Sequence, residues 1–169
     1  MTPHHPGAES APTAPAAPDA PVDLDTLLRD LQQRAQTAAQ RLSEPQLNSI
    51  YSAAYNLLQQ GATERAARMF NMLVALRPDR ARYWHAVGVC RRRQEEFAFA
   101  VEAFGRAFEL DPAFLDCGLM QAESMLLMQR RDEAALVLER VEALAREQGD
   151  GPAMMRAEGL RELMQGPKP

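Results

Sequence analysis

Along most of the chain, apolar residues recur three and four positions apart, the spacing of one face of an α-helix. Leu24, Leu27, Leu28, Leu31, Ala35, Ala38 and Leu42 form the first such stripe and predict a helix over 23–42. Asp23 suits its start, and Asp25 complements the dipole in its first turn. Ser43-Glu44-Pro45-Gln46 ends that segment and offers a capping box to the next helix. From there the pattern predicts helices over 47–60, 63–76, 81–94, 97–110, 115–128 and 131–144. Arg77-Pro78-Asp79 and Asp111-Pro112 interrupt it, because proline cannot continue a helix, and Gly61 suits a helix C-terminus. After the turn Gly149-Asp150-Gly151-Pro152, the residues Met154, Met155, Leu160, Leu163 and Met164 predict a last amphipathic helix, with 165–169 fraying.

The helices are not independent of one another. Ala66 and Phe70 recur as Ala100 and Phe104, and Pro78 as Pro112, each 34 residues on. The same step leads to Ala134 and Leu138, and from Gly88 to Ala122. A period of 34 with these residue types is the tetratricopeptide pattern, an antiparallel helix pair per copy. The middle copy carries it most fully, with Trp84, Val87, Gly88, Ala100, Phe104, Ala107 and Pro112. Small residues at Ala54, Gly88 and Ala122 let the helices of a pair approach closely, opposite Ala66, Ala100 and Ala134, while Phe70, Phe104 and Leu138 fill the space between copies. The fold expected is therefore all-α: a solenoid of three helix pairs (47–80, 81–114 and 115–148, within 43–148), an N-terminal amphipathic helix, and a capping helix within 149–169 that covers the open end.

Composition changes this picture at the N-terminus. The first 22 of the 169 residues hold six prolines and six alanines, with Val22 the only large aliphatic after Met1, and read as a disordered tail. No apolar run approaches the ~20 residues of a membrane span. No basic segment followed by an apolar stretch marks a secretory signal, so a cytoplasmic protein with reduced thiols at Cys90 and Cys117 is expected. The net charge of −4 falls mostly in residues 1–46, with six acids against three bases, while 47–148 hold fourteen acids against thirteen bases; no polybasic face results, which disfavours nucleic acid as a partner. His85 is the only histidine outside the tail, and no phosphate loop, nucleophile elbow or zinc-ligand spacing is present. No metal, cofactor or catalytic residue is expected. The chemistry implied is binding.

In each copy one stripe of the first helix packs on its partner helix and the other points into the concave side of the solenoid. That second stripe is Asn48, Tyr51, Tyr55 and Leu58 in copy one, then Arg82, His85, Val89 and Arg92, then Asp116, Leu119, Glu123 and Leu126. Apolar side chains between polar groups suit an extended peptide with spaced hydrophobic anchors. The alternative is that Tyr51 and Tyr55 are core, packed under the N-terminal helix. The apolar stripe Leu24, Leu27, Leu28 and Leu31 needs a partner surface, either a second copy or the first repeat of its own chain.

Three such repeats between an amphipathic and a capping helix resemble the class II chaperones of bacterial type III secretion systems. The similarity is carried by Ile50-Tyr51-Ser52-Ala53-Ala54-Tyr55-Asn56 followed by Gly61, by Gly88-Val89-Cys90-Arg91, and by Ala122-Glu123-Ser124-Met125-Leu126-Leu127 before Ala134, and it covers about residues 22–148. The resemblance implies a chaperone that grips an extended segment of the hydrophobic translocator proteins and keeps them soluble and ready for export. It also implies dimerisation through the N-terminal helix and, in some members, partnership with a transcription activator. Tyr51, Tyr55 and Leu58 would then wall the pocket at the first repeat. The rival reading is a tetratricopeptide scaffold or co-chaperone that docks acidic peptide termini on Arg82, Arg92 and Arg93, although Tyr51 and Tyr55 stand where such a clamp would want polar groups.

Overall fold

Breakers and small residues together shape the chain. The computed structural model describes residues 42–165, together with helical positions 29, 30, 33, 34 and 37. The tail over 1–22, most of the helix expected over 23–42 with its stripe Leu24, Leu27, Leu28 and Leu31, and residues 166–169 lie outside the described residues. Seven helices follow: α1 (Glu44–Gln59), α2 (Thr63–Leu76), α3 (Ala81–Arg93), α4 (Phe97–Leu110), α5 (Leu115–Leu127), α6 (Arg131–Gln148) and α7 (Gly151–Gln165). Each packs on the next, and α7 folds back against α5 as well as α6. Among the described residues there is no strand.

Local chemistry sets the helix ends. At the start of α1 the Ser43 backbone N–H donates to Gln46 Oε1 at 2.8 Å, the reach-back half of the capping box. Within each pair the turn is the same structure repeated. Gly61, Glu95 and Gln129 all take left-handed backbone, with φ of 79°, 61° and 61°. The next N–H in each case closes onto a carbonyl five residues back, Ala62 to Leu57, Glu96 to Arg91 and Arg130 to Met125, each at 2.9 Å. Only the first copy has the glycine that this conformation favours. At the far end α6 runs past the expected 144 to Gln148, because no breaker intervenes before Gly149, whose φ of 70° ends it.

The 34-residue pattern reappears as packing. Ala54, Ala66, Ala100, Ala122 and Ala134 have no exposed surface, nor do Phe70, Phe104 and Leu138. Gly88 shows why the site must be small: a Cβ there would meet the Phe104 ring at 2.6 Å. The ring thus fills its own helix pair, using room that the missing side chain leaves, and not only the space between copies. Gly118 in α5 serves the same end, since a Cβ would lie 2.5 Å from Val141 Cγ2 and 3.0 Å from Phe108 Cε1. Trp84 sits where the two halves of the core meet and packs against both. Its indole N–H donates to the Pro78 carbonyl at 2.8 Å, tying the α2–α3 turn to α3.

Three substitutions follow, one destabilising and two stabilising. Gly88→Val drives atoms into a fully buried ring and costs about 1–3 kcal/mol. Glu95→Gly and Gln129→Gly relieve a left-handed conformation that is unfavourable by ~1–2 kcal/mol for an L-residue; glycine's added chain entropy offsets part of this, leaving a gain of about 0.5–1 kcal/mol at each turn. Thermal and urea unfolding followed by circular dichroism measures all three. A loss of stability at both turn positions would contradict the assignment of strain there.

Candidate peptide-binding face

The first helices of the three copies, α1, α3 and α5, present one continuous row of side chains, because residues about 34 apart meet across the copies. Arg82 of α3 donates to Asn48 Oδ1 of α1 at 2.5 Å. Its guanidinium also lies 5.3 Å from the centre of the Tyr51 ring and 5.0 Å from that of Tyr83. His85 Nε2 is 3.1 Å from Asp116 Oδ2 of α5, and Arg92 pairs with Glu123 at 2.7 Å. Polar links between neighbouring first helices thus fix the register of the face and hold its side chains in place.

The two tyrosines divide between the alternatives the sequence left open. Tyr51 is half-buried, edge-on to Phe70 at 5.4 Å and tilted against Tyr83 at 5.8 Å, so its ring belongs partly to the core. Burial pushes its hydroxyl pKa above the ordinary tyrosine value, only partly opposed by Arg82. Tyr55, one turn on, is 47% exposed. His85 and Val89 are half-buried between the copies, with the His85 ring 4.8 Å from Phe114 and 5.7 Å from Phe104. Asn48 and Arg82 stay exposed beside the tyrosines.

Two expected wall residues are not on the surface. Leu58 is 2% exposed and Leu119 is 1% exposed. Leu58 lies at the last turn of α1, where the chain doubles back into α2, and Arg93 of α3 crosses it to donate to its carbonyl at 2.6 Å. Leu119 lies between Asp116 and Glu123 on the α5 face. Arg156 of α7 bonds to both, at 2.6 Å and 3.0 Å, and so passes over it. The capping helix therefore closes much of the third-copy stretch of the face, leaving Leu126 and the end of α5 beside it.

Arg156 is the residue of this face that the sequence reading missed. Of the apolar residues that mark α7 in the sequence, Met154, Leu160 and Met164 pack against the core beside the buried Ala153 and Ala157, while Met155 and Leu163 are each 73% exposed. Close approach to α5 and α6 needs small residues here as it does within the repeats, and the alanines four apart were the available signal. With Arg156 in place, Asp116, Arg156, Glu123 and Arg92 form an alternating row of charge along the face, with His85 hydrogen-bonded at its Asp116 end. A hydrogen bond from His85, with Arg156 adding to it against the cost of burial, holds the Asp116 carboxyl down to about 2.

Nothing on this face suits covalent chemistry. Cys90 and Cys117 are free and buried, and burial pushes their thiols up to about 11 and about 12, away from the reactive thiolate. Among the described residues no group of three or more His, Cys, Asp and Glu side chains is placed to hold a metal ion, and no helix is long and apolar enough to cross a membrane.

No protein-family model matches the chain, and no curated protein matches it in sequence. Solved structures match it well. The type III secretion translocator chaperone SycD of Yersinia enterocolitica superposes with a TM-score of 0.69 at 22% identity, over 76% of this chain and 96% of that one. PcrH, which is also known from Pseudomonas aeruginosa, matches in its complex with the chaperone binding region of PopB, with a TM-score of 0.67 at 26% identity, over 71% of this chain and 98% of that one. A tetratricopeptide-repeat domain pair of yeast Sti1 in complex with an Hsp90 peptide matches at 0.72 and 16% identity, over 85% of this chain and 57% of that one. SycD is also solved with a peptide of the translocator YopD and in an alternative dimer, and PcrH with the chaperone binding region of PopD. The chain thus has the tetratricopeptide-repeat fold, and in structure it resembles the translocator chaperones of type III secretion.

The bonds that Asp116 accepts from His85 and Arg156 set a pH limit. Asp116 has an ordinary value of 3.8 and a folded value of about 2, so its contribution to stability is complete above pH 4 and is lost as the pH falls toward 2. Arg156→Gln removes one of the two donors that lower it, so acid unfolding moves to higher pH. At neutral pH the loss of two partly exposed pairs costs ~1 kcal/mol of local stability, or about fivefold faster hydrogen exchange of α7 amides. Unchanged exchange in α7 would mean that the bridge does not hold the helix.

Proposed function

We propose that this chain is a cytoplasmic chaperone for hydrophobic translocator proteins of a bacterial type III secretion system, and that it holds an extended client segment along the face of α1, α3 and α5. The observation that carries the reading is the exposed Tyr55 beside the half-buried Tyr51, flanked by the polar Asn48 and Arg82. A rigid aromatic half-anchored in the core is a low-entropy platform for an apolar client side chain, and Asn48 and Arg82 can meet the client's backbone polar groups. The structural likeness to chaperones solved with translocator segments supports the same reading. Val89, His85 and the Arg92–Glu123 pair extend the face past the tyrosines. Holding a membrane-seeking segment there keeps its apolar surface from self-association before export.

The chain binds and does not catalyse in this reading, in keeping with the chaperones and the repeat domain it resembles. Self-association through Leu24, Leu27, Leu28 and Leu31 extends the proposal, supported by the apolar stripe there. A transcription activator as a second partner rests on the family resemblance alone. Docking of acidic peptide termini is the weaker reading, since Arg82 and Arg92 are engaged with Asn48 and Glu123.

The test is co-expression with a candidate type III secretion translocator. Tyr55→Ala leaves circular dichroism and melting unchanged, because the side chain is half in solvent. It weakens client binding by about 1–2 kcal/mol, or five- to thirtyfold. Tyr51→Ala added to it takes the client into the insoluble fraction. Full affinity in the double variant would rule out this end of the face as the binding site.

A further inference from the structure

The face does not end at Arg156. Beyond it, the last turn of α5 and the outer side of α7 enclose a recess of about 320 Å³ between Leu126, Leu127, Leu160, Leu163 and Met164. This lies at the small end of the ~300–1,000 Å³ range of ligand sites. Leu127 and Leu163 are 55% and 73% exposed, so the apolar lining is left to solvent on two sides. Such surface normally marks a contact still to be made.

The rim of the recess has a definite charge. Glu123 is engaged by two guanidiniums, those of Arg92 and Arg156. Arg131, at the start of α6, also lines the recess and pairs with no carboxylate among the described residues. The balance around the apolar floor is therefore positive, and Arg131 is the cation still free to accept an anion.

We infer that this recess is a second anchor site for a client: it takes a large aliphatic side chain of an extended polypeptide whose adjoining residue is Asp or Glu, with the carboxylate meeting Arg131. The recess is built from the end of the same α5 stripe that carries Glu123 and Leu126, which continues the first-helix face. Size and charge together select the occupant. The first 22 residues of the chain cannot fill it, having no leucine or isoleucine. This assignment rests on reading the α1–α3–α5 face as the client groove.

The test uses the full chain with methyl-labelled methionines and the capped dipeptide acetyl-Leu-Asp-amide as probe, followed by NMR. Met164 lines the recess, and Met69 and Met72 on α2 serve as distant references. The expected result is a saturable shift of the Met164 methyl with both references still. Binding should be about threefold tighter for Leu-Asp than for Leu-Asn, the worth of one exposed ion pair. Arg131→Gln removes that preference, and an Ala-Asp probe gives no saturation. A Met164 methyl that ignores the probe, or an equal response to Leu-Asn, overturns the assignment. So does a shift of Met164 when Leu24→Ser and Leu28→Ser are introduced in the full chain without probe, because the chain's own N-terminal segment would then be the occupant. Client co-purification through the tyrosine end is measured on the same wild-type sample. Retained co-purification with a silent Met164 overturns the recess alone, and loss of co-purification from the wild type overturns the groove beneath it.

Discussion

The contact on which the rest of the molecule depends is an aromatic ring lying where a side chain is missing. Phe104 is fully buried against Gly88, with no space for even a methyl group between them. That approach sets how closely α3 and α4 pack, and alanines repeat the arrangement at the corresponding sites of the other copies. Helix pairs of equal thickness stack in register, so the first helices fall side by side. The continuous first-helix face is a consequence of this stacking: Asn48 reaches Arg82, His85 reaches Asp116, and Arg92 reaches Glu123 only because each copy repeats the spacing of the last.

The last helix turns an open-ended stack into a finite one. A solenoid must cover its terminal apolar surface, and α7 does so with Ala153 and Ala157 at its closest approach. Its placement also adds charge to the first-helix face, where Arg156 spans and pairs with both Asp116 and Glu123. The face is thereby divided into an aromatic, open stretch on α1 and α3 and a closed stretch on α5, with an apolar recess beyond it. Affinity for an extended chain would then come from two separated anchors and not from one long groove.

Much of this was legible in the residues. Periodic alanines, the paired prolines and Gly61 located the helices and the close approaches, because each of these residue types acts through local sterics. The third copy was harder to read, and Gly118 shows why: it stands where Trp84 does in the second copy, and Val141 and Phe108 take up the space from other helices. Such an exchange of volume between distant positions leaves no periodic trace. The left-handed turns at Glu95 and Gln129 were equally hidden, since their backbone follows Gly61 without its glycine. For the site, the stripe identified which side chains share a face but not which of them α7 and Arg93 would cover. Leu58 and Leu119 were therefore placed on the surface when packing from outside their own helices buries them. Arg156 could not be read from the pattern because its acid partners lie on α5, 40 and 33 residues away.

The central claim, that an extended client lies along α1 and α3, is tested most directly by site-specific photo-crosslinking in cells co-expressing a candidate type III secretion translocator. A benzophenone amino acid is placed at Tyr55 on the first-helix face, or at Phe99, which is 58% exposed on α4. The account predicts an adduct from position 55 that maps to one short segment of the client, and none from position 99. An adduct from position 99 alone, or the absence of one from 55 while the client still co-purifies, would contradict it.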